Sequence, residues 1–246
     1  MRLKNYDYIF GIILLFFVGG CYSDVGIENE VYEDQYIELR NRMIEEQLLT
    51  RDITNDIVIE AIRNVPRHRL MHQYVHLAYE DRPVPIGYDQ TISQPYIVAL
   101  MTQILNPNED DIVLEIGTGS GYQAAVLAEI VDTVYTIEII EELAMRAEND
   151  LKELGYDNIN VLHADGYYGW PEDIKFDSII ITASPNHVPP TLIEQLKEGG
   201  VMVVPVATAP GFQTLNKITK INGTLDTEVI LGVRFVPMTG RAQQTS

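Results

Sequence analysis

The chain has 246 residues, 46% of them hydrophobic, a length and composition that suit one α/β domain with an N-terminal appendage. Its 17 basic and 36 acidic side chains give a formal charge of −19, which argues against nucleic acid as a partner, because phosphate binding needs a basic face. Cys21 is the only cysteine, so neither an intrachain disulfide nor a cysteine-based metal site is possible.

Arg2 and Lys4 open the chain, and an apolar run of about ten residues follows to Val18, short for a bilayer span but right for a signal core. Val18-Gly-Gly-Cys21 comes next. A small-residue pair directly before a cysteine resembles the bacterial lipobox, so residues 1–20 read as a signal-like segment and Cys21 as a lipid-modified N-terminus. An uncleaved anchor, or a start at Met43, would be the alternatives. Residues 21–34 are polar and acidic and read as a tether; a single domain is expected over 35–240. Apolar periodicity predicts a helix from Tyr36 to about Leu48 and a second one capped by Thr54. The second would bury Ile57, Val58, Ala61 and Ile62, and Pro66 stops it.

His68, His72 and His76 stand at i, i+4 and i+8. On a helix that is one face, and the spacing invites zinc. No acid takes a further position on that face, so a solvated or core-satisfied histidine face is expected, and no metal. Two prolines hold 82–87 extended. Gln90-Thr-Ile-Ser-Gln-Pro-Tyr96 then leads into an apolar helix, with Ser93 placed as its cap and Pro95 in its first turn. Free N–H groups at a helix start attract a carboxylate, so Ser93 is expected both to cap the helix and to face an anionic substrate.

Val113-Leu-Glu-Ile-Gly-Thr-Gly-Ser-Gly-Tyr122 organises the rest. A short apolar run suited to a buried parallel strand stops at a glycine-rich turn that opens a helix. The pattern is Gly-x-Gly-x-Gly with Glu115 two residues ahead, not the Gly-x-Gly-x-x-Gly that aims a helix at a pyrophosphate. A cationic ligand without phosphates suits it. Glu138 ends the next apolar run, 17 residues past Gly121, close to the roughly 20 at which a carboxylate meets ribose hydroxyls. The pair favours an adenosine-type cofactor, and Glu-x-Gly-x-Gly-x-Gly resembles the first motif of the S-adenosylmethionine (SAM) methyltransferases.

Beyond it come a helix over 141–154 closed by Gly155, a strand over 158–162, and Ala164-Asp-Gly166 at that strand's carboxyl end, where Asp165 is placed to accept from an adenine amino group. A strand over 177–182, a helix over 189–196 closed by Gly199-Gly200, and a strand over 201–205 follow. Trp170 is expected to pack. Asn222-Gly223 is a hairpin signal between alternating segments at 213–221 and 228–236. The fold class is therefore α/β: a doubly wound, mostly parallel Rossmann-like sheet with N-terminal helices and a C-terminal antiparallel hairpin.

Val65-Pro-Arg-His68, Pro85-Ile-Gly87, Gln90 to Val98, Val113 to Leu127, Asp165-Gly166, Gly169-Trp170 and Val233-Arg-Phe-Val-Pro237 together closely resemble the bacterial protein-L-isoaspartate O-methyltransferases, over roughly 37–238. The glycine motif says only SAM enzyme; the Thr-Ile-Ser-Gln-Pro segment is far more specific. The resemblance implies that Ser93 is the active-site residue. It implies a SAM site of Glu115, Gly117, Thr118, Gly119, Gly121, Glu138, Asp165 and Gly166, joined by Ile92 and Thr182. It also implies a monomer that methylates the free α-carboxyl of isoaspartyl residues in aged proteins. The ester then cyclises to a succinimide, whose hydrolysis restores some aspartate. The signal-like segment departs from the family's usual cytoplasmic pattern and points to an exported, lipid-anchored protein. A methyltransferase of a small carboxylate or hydroxyl, and a non-catalytic binding lipoprotein, remain as alternatives.

Overall fold

In the computed structural model, which describes residues 24–243 and the side chains of 33–243, the glycine-rich stretch lies at the centre of a seven-stranded sheet. The strand order is β5-β4-β3-β6-β7-β8-β9. β3 (Ile112–Ile116), β4 (Thr133–Glu138), β5 (Ile159–His163), β6 (Phe176–Ile181) and the first part of β7 (Leu196–Ala209) run parallel. β8 (Phe212–Ile221) and β9 (Thr224–Val233) continue antiparallel. β1 (Val84–Gly87) and β2 (Gln90–Ile92) form a separate hairpin. From β3 the chain winds one way to β4 and β5, then returns to β3's other edge for β6 and β7. The order thus reverses between β3 and β6, and in open α/β sheets ligands bind beyond the strand ends at such a point.

The central strands read as continuous apolar runs because both faces are covered. Val113, Leu114, Val134, Ile179, Ile180, Met202 and Val203 are all fully buried, each contributing about 1.5–3 kcal/mol of transfer free energy. α3 (Pro95–Leu105), α4 (Tyr122–Ala128) and α2 (Asp56–Asn64) pack with one face of the sheet in one cluster; Trp170, Leu192 and Met238 cover the other. α4 follows the glycine turn directly, and its Ala124 and Ala125 are fully buried. α5 (Glu141–Glu153) ends as expected, with Gly155 at φ +87°. α6 (Pro190–Gln195) leads into β7.

Several local expectations are corrected. α1 (Asp24–Met43) is helical from Asp24, so the segment read as a tether is helix over 24–34; Gly26 lies in its first turn, and the glutamates and Asn29 that follow hold no proline to break it. α1 passes into a π-turn at Ile44–Leu48. The chain divides into two units between Gln35 and Tyr36, and the signal-like segment with Cys21 lies outside the described residues. The cap of α2 is Asn55, whose side chain accepts from the N–H groups of Ile57 and Val58, not Thr54. Ile59 joins that helix's buried face while Ile57 is exposed. Ser93 does not cap α3: the cap position is Gln94, without a side-chain cap bond. Gly199 and Gly200 do not close a helix but lie within β7, where a Cβ on Gly200 would stand 2.8 Å from the Asp177 carbonyl. Glycine there lets β7 pass β6 at its register break.

The histidines share no helix face either. The chain from 67 to 77 is two short 3-10 turns, Arg67–Leu70 and Val75–Leu77. Buried His68 stacks on Tyr36 at 4.2 Å and bonds the Tyr79 hydroxyl. Exposed His72 pairs instead with Asp150.

Candidate active site

The turn after β3 is held from several sides. The N–H groups of Gly117 and Thr118 donate to the Ile137 carbonyl at the end of β4, and Thr118 N–H does so at 3.3 Å. The Thr182 hydroxyl, just past β6, donates to the Gly117 carbonyl at 2.6 Å. Gly117 has φ +99°, and a Cβ there would collide with that hydroxyl, so glycine is needed on both counts. Glu138 closes the ring: Oε2 accepts from Gly119 N–H at 2.8 Å and Oε1 from Ile140 N–H at 3.0 Å. The acid that ends β4 therefore organises the glycine turn as well as facing its cleft.

That cleft, about 560 Å³, is lined by Gly117, Gly119, Glu138, Gly166 and Thr182 among the expected residues. Ile116, Ile137, Ile139 and Ile140 give it apolar walls, and Val236 to Thr239 form a further side. An acid among apolar walls, beside two glycines that present no Cβ, fits a nucleoside-type ligand. A smaller inner pocket joins Ile92, Ser93, Glu115, Thr118, Gly119 and Tyr122. Glu115 is fully buried there. Its Oε2 accepts from the Thr136 hydroxyl at 2.5 Å, while Oε1 has no hydrogen-bond partner among the described residues. Burial pushes its carboxyl up to about 8, against the Thr136 hydrogen bond and helped by the nearby charge of Glu138. A buried acid with a free oxygen is an unmet acceptor for a cationic group, which fits the ammonium of a SAM-like ligand.

Gly121 and Asp165 line neither pocket. Gly121 opens α4 at φ +82° and lies against Leu151. Asp165 accepts from Tyr167 N–H with Oδ1 and from Arg241 N–H with Oδ2, so it anchors the C-terminal segment next to Gly166. Gly166 itself is pressed on Ile116, where a Cβ would clash.

A third, open cleft of about 1780 Å³ runs between the start of α3 and the ends of β8 and β9. It includes Ser93, Tyr96, Arg51, Phe212 and the segment 231–237. Thr91 and Thr182 line all three spaces, and Ser93 lines the inner and the open ones. Their meeting point carries hydroxyls and no charge. Thr182 spends its hydroxyl proton on the turn, whereas the Ser93 and Thr91 hydroxyls have no partner among the described side chains. Sequence reasoning missed Thr91 as a lining group, although the Thr-Ile-Ser motif contains it. It also gave no site role to 236–239, which reaches the site through the return of β9; the Val233–Pro237 phrase that carries part of the resemblance was the one signal there.

A family model for protein-L-isoaspartate(D-aspartate) O-methyltransferase matches residues 38–243. A protein-L-isoaspartate O-methyltransferase of Opitutus terrae is 53% identical over 216 residues, covering 87% of this chain and 93% of that one. One from Gloeobacter violaceus is 49% identical, covering 82% and 99%. A solved protein-L-isoaspartate O-methyltransferase superposes with a TM-score of 0.75 at 28% identity, over 84% of this chain and 67% of that one. A Plasmodium falciparum structure assigned to the same activity, in complex with S-adenosyl-L-homocysteine, gives 0.71 at 26% identity, over 83% and 98%. Family model, close relatives and fold agree along nearly the whole described chain, which belongs to the protein-L-isoaspartate O-methyltransferase family.

Proposed function

We propose that this chain transfers the methyl group of SAM to the free α-carboxylate of isoaspartyl residues in proteins, with Ser93 orienting the carboxylate. The observation that carries the reading is the junction at Thr91, Ser93 and Thr182, where a narrow cleft meets one open enough for a polypeptide.

Bound SAM supplies an electrophilic methyl on a sulfonium; the chain's part is to bind, orient and exclude water. A carboxylate has an ordinary pKa near 4 and is ionised at neutral pH, so it needs no general base. Opposite charges approach and partly neutralise in the transition state. A cationic grip on the free carboxylate would stabilise the ground state more and slow the step. A neutral hydroxyl gives one hydrogen bond and direction without a full charge, and rate then comes from proximity and desolvation. On the cofactor side, Glu138 faces the nucleoside cleft, where Gly117 and Gly119 allow close approach. Glu115 offers its free oxygen to an ammonium. Gly166 lines the same cleft, and Asp165 supports it from behind by anchoring Tyr167 and Arg241. The methyl ester leaves the enzyme and cyclises to a succinimide, which begins repair.

The test gives the purified full-length chain labelled SAM and two peptides that differ only in Asp against isoAsp. Label should enter the isoAsp peptide alone. Ser93→Ala should slow transfer by about 100-fold and leave the affinity for S-adenosylhomocysteine within about twofold. Equal transfer to both peptides, or equal loss of rate and affinity, would refute the reading.

A further inference from the structure

Arg67 is completely buried, yet among the described residues it meets no carboxylate. Its Nε donates to the Ala78 carbonyl at 2.6 Å and its Nη2 to the Ser93 carbonyl at 2.7 Å. The guanidinium lies over the Tyr122 ring, 4.6 Å from its centroid. Nη1 has no hydrogen-bond partner among the described residues. Burial lowers its pKa to about 10, which leaves it cationic at neutral pH. A buried, unpaired cation is a destabilising choice where an apolar side chain would fill the space, so stability alone does not explain it.

Its three contacts do. Ser93 sits in the irregular link between β2 and α3, where no ladder fixes its backbone. Tyr122 is the first residue of α4, directly after the glycine turn, and Ala78 ends the second 3-10 turn. One side chain thus ties the acceptor-side segment to the cofactor-side turn. Only a planar fork does this: guanidinium donors leave in fixed directions while the face stays free to stack.

We propose that Arg67 is a positioning residue that fixes Ser93 relative to the glycine turn and so sets the distance between the substrate carboxylate and the methyl donor. The inference rests on the reading of Ser93 given above. Arg67 touches neither substrate nor cofactor; it acts through the Ser93 backbone.

A double-mutant cycle separates the two ideas. Arg67→Lys keeps the charge but loses the fork and the stacking face. It should lower kcat by about 100-fold, the cost of a misplacement near 1 Å, with S-adenosylhomocysteine affinity within about twofold. With no hydroxyl left to place, Arg67→Lys in the Ser93→Ala background should cost less than about threefold more. Losses that multiply in full would overturn the inference and leave the Ser93 reading intact. A normal rate in Ser93→Ala would sink both. Parallel loss of cofactor affinity in Arg67→Lys would reduce Arg67 to general support of the fold. If Arg67→Lys does not purify folded, Arg67→Gln, which sheds the buried charge, takes its place in the cycle with the same expected outcomes.

Discussion

Replacing Glu115 with glutamine tests the cofactor side of the site through stability alone. The carboxyl is fully buried and held protonated up to about pH 8, against an ordinary value of 4.5. At about 1.4 kcal/mol per pH unit, that gap makes ionised Glu115 cost on the order of 5 kcal/mol in the cofactor-free fold. The sign follows from proton counts. Between pH 4.5 and 8 the folded chain keeps a proton that the unfolded chain has lost, so stability falls as pH rises through that window and is flat above it. Glutamine mimics the protonated acid, keeps an acceptor for the Thr136 hydroxyl and has no proton to lose. Urea unfolding of wild type and Glu115→Gln, without cofactor, at pH 5 and pH 9 isolates this group, because all others cancel in the difference. The variant should gain several kcal/mol on wild type between the two values. With S-adenosylhomocysteine present the order should reverse, since an ammonium then meets the ionised carboxylate, and binding to wild type should release a proton. A wild-type-minus-variant difference that is the same at both pH values would refute the reasoning.

Gly117→Ala forces a side chain into a φ of +99° and against the Thr182 hydroxyl. It should lose about 1–3 kcal/mol and most of its cofactor affinity, read by melting with and without S-adenosylhomocysteine. Asn55→Ala removes the α2 cap that accepts from Ile57 and Val58 N–H. It should cost about 1 kcal/mol, a drop of about 2–4 °C in Tm, with methyl transfer unchanged. We propose that Cys21 carries a lipid anchor; Cys21→Ser should then lose palmitate labelling and move from the membrane fraction to the soluble one.

What was legible in the sequence was local and periodic. The glycine turn, its two flanking strands, α5 with its Gly155 stop and the Asn222-Gly223 turn are each specified locally and stand where their patterns put them, although the strand after that turn, expected over 228–236, is Thr224–Val233. Errors arose where a distant partner decided the matter. Ser93 and Thr54 both look like caps, because a hydroxyl just ahead of an apolar helix usually is one. In the fold, Gln103 on α3 takes the N–H groups of Thr54 and Asn55, and Asn55 supplies the cap. The histidine spacing suggested a face only under the assumption of a helix, and partners at Tyr36, Tyr79 and Asp150 lie far along the chain. Arg67 entered the sequence reading only as part of the Val65-Pro-Arg-His68 phrase, with no role given to it; its contacts with Ser93 and Tyr122 come from the return of the chain at β2 and α4, which no window around it contains.

The same distinction explains how an acidic protein handles an anionic substrate. A net charge of −19 gives no general attraction for a carboxylate, and the junction offers no cation to compensate. The acids are instead confined to the cofactor side: Glu115 with an unmet acceptor and Glu138 tied to the glycine turn. The junction itself holds hydroxyls; Arg51 and Arg234 line the open cleft but neither of the two narrower spaces, and buried Arg67 reaches Ser93 through its backbone carbonyl. A carboxylate arriving there meets direction rather than attraction. Its charge is then available to the one electropositive centre the acids have gathered, the sulfonium. A neutral junction thus spares the reacting carboxylate a charged grip that would be lost again on the way to the transition state.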